Sequence, residues 1–134
     1  MNPDNRPERQ STGLRHLINA FRYSMAGFKR GIAVEVALRQ ALFACAVLIP
    51  LALLLPVSLV EHLILVLSMM LVVLTEFLNS AIESTVDHIS LERHQLAGQA
   101  KDYASAAVFV ALLMSAVAWV VIAGPVLIRW LRRQ

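Results

Sequence analysis

The chain has 134 residues, enough for one domain, of which 58% are apolar and only 16% are charged, with a formal net charge of +3. Soluble domains carry about a quarter charged residues, so a water-soluble fold of this size could not hide so much apolar surface. The composition therefore excludes an ordinary soluble domain and indicates that a lipid bilayer is the solvent for much of the protein.

The N-terminal part is predicted to form a polar tail followed by an amphipathic helix. Residues 1–11 are polar, contain two prolines and are expected to remain disordered. Over residues 12–33, apolar side chains recur at three- and four-residue steps, while Arg15, Arg22 and Lys29 recur every seven residues on another face. This pattern is typical of a helix that lies in the membrane surface with its cations toward lipid headgroups. A helix packed on other protein is the alternative.

Three apolar runs are each long enough to cross a bilayer as a helix. Residues 41–60 and 104–128 contain no charged residue, and residues 63–82 contain only Glu76. A membrane span needs roughly 20 apolar residues, so all three runs qualify. Because the first run begins so far from the N-terminus, no removable signal peptide is expected. The predicted spans cover residues 36–57, 62–83 and 104–126.

The surface helix and the spans together predict an all-α fold with one membrane domain, residues 12–128, and a C-terminal tail, residues 129–134. Cytoplasmic loops carry an excess of Lys and Arg, which sets the orientation. Seven such residues precede the first apolar run (residues 41–60), none lies in the first connection and two lie in the second. The N-terminus and the second loop are therefore expected in the cytoplasm. The three arginines of the tail would then lie outside, against this trend, and the side on which the tail lies stays open.

Glycine and proline positions predict where the helices bend or end. Residues 83–103 form a polar insert in which Gly98 is the only strong helix breaker, so the second helix is expected to continue past the bilayer and then turn. Pro50 and Pro56 are expected to kink or end the first span. Gly124–Pro125 is expected to loosen the end of the third.

Glu76 is the polar residue that most needs an explanation, because it lies deep inside an apolar run. Asn79, Ser80, Glu83 and Asp87 follow it at i+3, i+4, i+7 and i+11, so all five residues share one stripe of a helix. A carboxylate near the bilayer centre costs roughly 2.5–3.5 kcal/mol on insertion scales, and a low dielectric disfavours its charged form. Such an acid is suited to general base catalysis near neutral pH. The alternative is that Glu76 pairs with a polar residue and only holds helices together.

Other charged residues lie where the apolar runs end. Glu35 and Glu83 are expected at a similar interfacial depth, where two carboxylates could share a divalent cation such as magnesium. For Glu35, spacing alone favours an ion pair with Arg39, one helical turn away. Lys101 and Asp102 could present a cation to a phosphate or could form a solvated charge pair.

The familiar soluble nucleotide-binding and nucleophile motifs are absent from the sequence. It contains no GxxxxGK[ST] loop, no GxGxxG turn, no zinc-type Cys/His cluster and no GxSxG elbow. The common folds built on these motifs are therefore excluded, and the cations suit anionic lipid headgroups better than nucleic acid.

Four segments of the chain share a pattern with a known membrane enzyme family. Residues 76–87 read EFLNSAIESTVD, close to ExLNSAIExxVD, and residues 97–108 read AGQAKDYASAAV, close to SGxAKDxxSAAV. Upstream, residues 23–28 are similar to YSxxGL and residues 35–40 to the start of ExAFRQE. Over roughly residues 13–124, without a gap, the chain resembles the prokaryotic diacylglycerol kinases.

This resemblance implies a homotrimer of three-helix protomers in the bacterial inner membrane, with the active site facing the cytoplasm. It implies transfer of the ATP γ-phosphate to the hydroxyl of diacylglycerol, with Mg²⁺ as cofactor. Carried over by position, Glu76 is the base, and Glu35 and Glu83 hold magnesium on the ATP phosphates. The implied ATP-binding residues are Tyr23, Asn79, Glu92, His94, Lys101 and Asp102. The implied lipid-binding residues are His16, Ser24, Arg39, Gln40, Glu76 and Ser105.

Four positions depart from the family's usual pattern. Leu38 and Ala41 stand where Phe and the last Glu of FRQE are usual, His16 where Arg is common, and Gln95 where Glu is frequent. These positions bear on the lipid pocket and the rim of the site, so the acceptor lipid is the open question, and an undecaprenol kinase on the same scaffold is the alternative. From a different class, a small transporter or proton relay through Glu76 would leave the interfacial charges without a role.

Overall fold

The computed structural model describes residues 13–89 and 95–133. Within these two ranges the chain is helical throughout apart from short connections, and it contains no strand. The four helices are α1 (Gly13–Val34), α2 (Val36–Leu54), α3 (Leu59–Ile89) and α4 (Gln95–Leu131). The predicted all-α fold is confirmed.

Helix α1 belongs to a compact unit of its own, Met1–Val34, separate from the unit Glu35–Gln134 that contains the other helices. None of its 22 residues is buried. Large apolar side chains such as Leu14 and Phe21 are more than half exposed, while cations occupy other positions of the same helix. Exposed apolar area of this kind needs a bilayer or a protein surface to cover it. The membrane-surface location of α1 remains a prediction.

Helices α2, α3 and α4 are consecutive and form a bundle in which α3 contacts both neighbours. Leu38, Leu65 and Ala52 are completely buried. At mid-bundle, Ala41 of α2 and Ala111 of α4 pack with Val72 of α3. Alanines at these contacts let helix backbones approach closely, and such packing drives helix association inside a membrane, where there is no hydrophobic effect between helices.

All three bundle helices are long and apolar enough to cross a membrane. Only 17%, 22% and 17% of the most apolar window of α2, α3 and α4 is buried, so most of their apolar surface faces lipid or other chains. At about 1.5 Å per residue, the 37 residues of α4 extend well beyond the hydrocarbon core of about 30 Å. The protein is therefore an integral membrane protein with three spanning helices.

A short connection joins α2 to α3. The amide of Val57 donates to the carbonyl of Leu55 at 2.9 Å. Ser58 and Glu61 then form a reciprocal cap on α3: the Glu61 amide donates to Ser58 Oγ at 3.3 Å, and Glu61 Oε2 accepts from the Ser58 amide at 2.7 Å. The S-x-x-E pattern of residues 58–61 is the known sequence signature of this capping box.

The predictions from glycine and proline have mixed outcomes. Helix α2 ends at Leu54, with Leu55 as its C-cap directly before Pro56, as predicted. The other positions lie inside helices. Pro50 lies inside α2, which ends only at Leu54, and Pro125 lies inside α4. Gly98 also lies within α4, so the expected turn is not at this residue. Within a membrane a non-helical backbone would expose unsatisfied polar groups to lipid, and this cost outweighs the single hydrogen bond that proline removes.

Candidate active site

The polar stripe predicted on the second span lies on one face of α3, with solvent exposure increasing along it. Glu76 is buried, with 9% of its surface exposed. Asn79 and Glu83 are half-buried and joined by a hydrogen bond from Asn79 Nδ2 to Glu83 Oε1 of 3.1 Å. Asp87, three turns beyond Glu76, is exposed. The stripe therefore leads from the membrane interior to the polar end of the bundle.

The start of α2 brings a third carboxylate toward this stripe. Glu35 is the N-cap residue of α2, but its side chain makes no capping hydrogen bond, so the carboxylate remains available for other interactions. Both Glu35 and Glu83 lie close enough to Glu76 to interact with it electrostatically. Three carboxylates of like charge repel one another unless a cation or a proton lies between them.

A complete protein-built metal site is not present at this position. Among the residues in the two described ranges, no group of three or more His, Cys, Asp or Glu side chains is arranged to hold a metal ion. Magnesium typically uses only one or two carboxylates together with water and substrate phosphates. Glu35 and Glu83 fit that smaller ligand set.

The start of α4 adds a cation to the same end of the bundle. Lys101 Nζ donates to Asp87 Oδ1 at 2.5 Å, which links α4 to the polar end of α3. The partner of Lys101 is thus Asp87, whereas the sequence suggested Asp102. Adjacent residues of a helix do not face each other, which explains the difference. The two side chains are 36% and 64% exposed, so Lys101 remains accessible to a ligand from solvent.

Glu35, Glu83, Asp87 and Lys101 mark what is called here the carboxylate end of the bundle. It consists of the start of α2, the end of α3 and the start of α4. Glu76 lies next to this end but deeper along α3.

A cavity of about 540 Å³ extends from Glu76 into the bundle. Along α2 it runs from Ala37 to Leu48, about 16 Å of helix axis at about 1.5 Å per residue. Glu76, Gln40 and Ser115 are the polar side chains in a lining that is otherwise apolar. The other lining residues are Ala37, Ala41, Ala44, Leu48, Met69, Val72, Leu112, Ala116 and Trp119. The shape and chemistry suit a hydrocarbon chain with a polar group at the Glu76 end.

Two of the positions that depart from the family pattern lie at or near this cavity. Ala41 lines the cavity and is itself 9% exposed. Leu38, on the preceding turn of α2, is completely buried. An alanine in place of a glutamate removes a carboxylate from the wall, so the cavity is more apolar here than the family pattern implies.

Polar contacts between the three helices lie along the inner part of the cavity, and the sequence did not predict them. Ser68 of α3 and Ser115 of α4 have hydroxyl oxygens 3.3 Å apart, and Ser115 Oγ also donates to the Met69 sulfur at 3.3 Å. Cys45 of α2 donates to the Met69 carbonyl at 3.6 Å. These contacts set the register of the three helices. The polar Ser115 inside an apolar run could have indicated a contact between helices. Its partners could not be predicted, because they depend on how the helices pack.

The remaining predicted site residues lie on α1, on the bundle or outside the described residues. His16, Tyr23 and Ser24 lie on α1 with exposed side chains, and Ser24 Oγ donates to Ala20 O within that helix at 3.0 Å. On the bundle, Arg39, Asp102 and Ser105 are exposed and do not line the cavity. Glu92 and His94 lie outside the described residues.

Comparison with known proteins gives consistent results over most of the chain. Residues 22–123 match the family model described as prokaryotic diacylglycerol kinase. A protein of Pseudomonas aeruginosa named diacylglycerol kinase is 47% identical over 116 residues, which cover 87% of this chain and 94% of the relative. A diacylglycerol kinase of Haemophilus influenzae is 44% identical over 110 residues, covering 82% and 93%. One of Escherichia coli is 38% identical over 112 residues, covering 84% and 92%.

Proposed function

Since this chain belongs to the prokaryotic diacylglycerol kinase family, we propose that it phosphorylates diacylglycerol with ATP to give phosphatidic acid. The observation that carries the proposal is the position of Glu76: it is buried, lines the apolar cavity and interacts with two further carboxylates at the polar end. A lipid and a nucleotide can therefore reach one carboxylate from opposite sides.

In the proposed reaction Glu76 is the general base. The acceptor hydroxyl lies against the Glu76 carboxylate, which takes the hydroxyl proton as the hydroxyl oxygen bonds to the γ-phosphorus. The bond from that phosphorus to the β–γ bridging oxygen breaks, and ADP leaves. Phosphoryl transfer depends mainly on positioning and on neutralising charge, and a positioned base contributes about 10²- to 10⁴-fold.

The cavity supports a lipid acceptor. Its axial length of about 16 Å corresponds to roughly eleven residues of helix and accommodates much of an acyl chain. Gln40 lies on its wall near Glu76 and can hydrogen-bond a polar group of the acceptor. Of the predicted lipid-binding residues, Arg39 and Ser105 would act at the rim of the site. His16 and Ser24 would have to act from α1.

The carboxylate end supports the nucleotide. We place Mg²⁺ on Glu35 and Glu83, where it would neutralise phosphate charge and relieve the repulsion among the three carboxylates. Lys101 is solvent-accessible and can bind a phosphate oxygen. Asn79 is held against Glu83 through its amide nitrogen, and its buried Oδ1 has no hydrogen-bond partner among the described residues. That oxygen can accept from a ligand. Tyr23, Glu92, His94 and Asp102 complete the proposed ATP site.

The proposed location is the bacterial inner membrane with the carboxylate end toward the cytoplasm, where ATP is available. Seven Lys and Arg residues before the first apolar run, residues 41–60, support this orientation. We also propose a homotrimer, since most of each span's apolar window is unburied within one chain.

An undecaprenol kinase and a proton relay are the competing functions. The names of the relatives favour diacylglycerol over undecaprenol as the acceptor. A proton relay would explain the burial of Glu76. It would give no role to Glu35, Glu83 or the solvent-accessible Lys101.

The test is acceptor-dependent ADP release by the purified protein in detergent with MgATP. Diacylglycerol, undecaprenol and no added lipid are compared in parallel. We expect release with diacylglycerol, with phosphatidic acid formed in equal amount. Faster release with undecaprenol would identify the alternative kinase, and no release with either lipid would favour the relay.

A further inference from the structure

A second cavity, of about 780 Å³, lies between α2 and α4 at the opposite end of the bundle from the carboxylates. Its walls are mainly apolar, with Leu48, Leu51 and Leu55 from α2 and its C-cap, and Val126 and Leu127 from α4. Trp119 separates it from the cavity at Glu76, since this residue lines both. The second cavity has no part in the proposed phosphoryl transfer.

The mouth of this cavity is positively charged. Arg129 and Arg133 line it, one helical turn apart on the same face of α4 and its C-terminal turn, and Trp130 lies beside them with 58% of its surface exposed. Tryptophan concentrates at the level of lipid headgroups. Ser58, Glu61, Arg129 and Arg133 mark what is called here the arginine end.

Among the residues that the structure describes, no free carboxylate at this end balances the two arginines. Residues 36–60 and 103–134 contain no Asp or Glu. Glu61 lies within electrostatic range of Arg129, but its carboxylate accepts hydrogen bonds from Ser58 N and Oγ at 2.7 and 2.6 Å and does not line the cavity. The two guanidinium groups are therefore available to bind an anion from outside the chain.

We propose that this cavity binds one anionic phospholipid of the surrounding membrane. The lipid phosphate lies between Arg129 and Arg133, and an acyl chain extends along Leu51 and Leu127 toward Trp119. A guanidinium fork matches phosphate oxygens geometrically, and an apolar groove below it matches the chain. The inference depends on the membrane-spanning fold and not on the proposed kinase activity.

Charge complementarity favours a lipid over the other possible occupants. A second copy of this chain with the same membrane orientation would bring only its own arginine end to this depth, where Glu61 is the one acid and is already engaged, so it would offer no free carboxylate to Arg129 and Arg133. Free phosphate would satisfy the arginines but leave the apolar groove unfilled. An anionic phospholipid satisfies both parts of the cavity.

Native mass spectrometry of the detergent-solubilised protein tests this proposal. The protein is equilibrated with phosphatidylglycerol or phosphatidylcholine, and retained lipid is counted per chain. Arg133→Gln is compared with Arg132→Gln, which removes the same charge from the next residue but does not line the cavity. We expect one tightly retained phosphatidylglycerol, a loss of affinity of roughly five-fold for Arg133→Gln, and almost none for Arg132→Gln.

Four results would overturn the proposal. Equal losses for the two variants would indicate diffuse surface attraction, and equal retention of phosphatidylcholine would remove the need for an anion. Displacement of the lipid by inorganic phosphate would identify a simple phosphate site. A change in the number of chains per particle for Arg133→Gln alone would show that another copy covers the cavity.

Discussion

The two ends of the α2–α4 bundle are built by the same three helices but carry opposite charge. The carboxylate end places Glu35 and Glu83 near the buried Glu76, so anionic groups lie beside an apolar cavity. At the arginine end the one acid, Glu61, is held in the cap of α3 by Ser58. The comparison separates charged groups that have hydrogen-bond partners within the chain, such as Glu61, from groups such as Glu35 and Glu76 that have like-charged neighbours. Satisfied charges stabilise the fold, whereas unsatisfied ones indicate where a ligand binds.

The largest expected effect comes from removing the carboxylate of Glu76 on α3. Glu76→Gln keeps the size of the side chain but removes the proposed base, so kcat should fall by about 10²- to 10⁴-fold. Glu61→Gln is the matched control on the same helix. Its kcat should stay within about two- to three-fold of the wild-type value, because surface substitutions usually change free energies by no more than about 0.5 kcal/mol. Steady-state ADP release with diacylglycerol measures both. Equal activities for the two variants would remove the functional distinction between the ends.

The next effect concerns the proposed magnesium ligands. Glu83→Gln and Glu35→Gln should each raise the Mg²⁺ concentration for half-maximal rate about ten-fold or more, because magnesium is bound through only one or two carboxylates. The KM for diacylglycerol should change little. Rates measured across a Mg²⁺ titration, again with Glu61→Gln as control, check this. Unchanged magnesium curves would contradict the metal role.

A smaller effect is expected from filling the cavity. Ala116 lines the cavity, and Ala118 on the same helix does not. Ala116→Leu should raise the KM for diacylglycerol roughly five-fold or more, as overpacking costs about 1–3 kcal/mol, and leave the KM for ATP unchanged. Ala118→Leu adds the same side chain outside the cavity. If both variants raise the lipid KM equally, the cavity is not the acceptor site.

The smallest effect concerns stability at the arginine end. Ser58→Ala removes the capping box of α3 and should lower the free energy of unfolding by about 1 kcal/mol. The proposed catalytic site lies at the other end, so kcat should be unchanged. Thermal unfolding in detergent compares this variant with Ser84→Ala, an exposed serine of the same helix. A loss of activity without a loss of stability would mean that the arginine end takes part in catalysis.

Hydropathy and spacing were sufficient to predict the spans and the face of α3 that carries Glu76. Both depend on local properties: apolar run length and the helical period. The ion pair between Lys101 and Asp87 could not be predicted in this way, because it depends on the register between α3 and α4. The cavity is another property of packing, and Ser115 and Trp119 have no local signal that places them in the same cavity as Glu76.

The continuity of α4 through Pro125 has a physical cause of a different kind. Turn propensities derive from water-exposed backbone, whereas a spanning helix gains most by keeping its backbone hydrogen bonds internal. Pro125 is accordingly helical in α4. Pro56, which lies at the end of an apolar run, directly follows the C-cap of α2.

The most direct test of the central hypothesis separates lipid binding from chemistry at Glu76. Binding of labelled diacylglycerol and transfer of phosphate in a single turnover are measured on the same preparation of Glu76→Gln. The proposed role predicts binding close to that of the wild type and transfer slowed by about 10²-fold or more. Transfer at the wild-type rate, or a loss of binding as large as the loss of transfer, would contradict the assignment of Glu76 as the base.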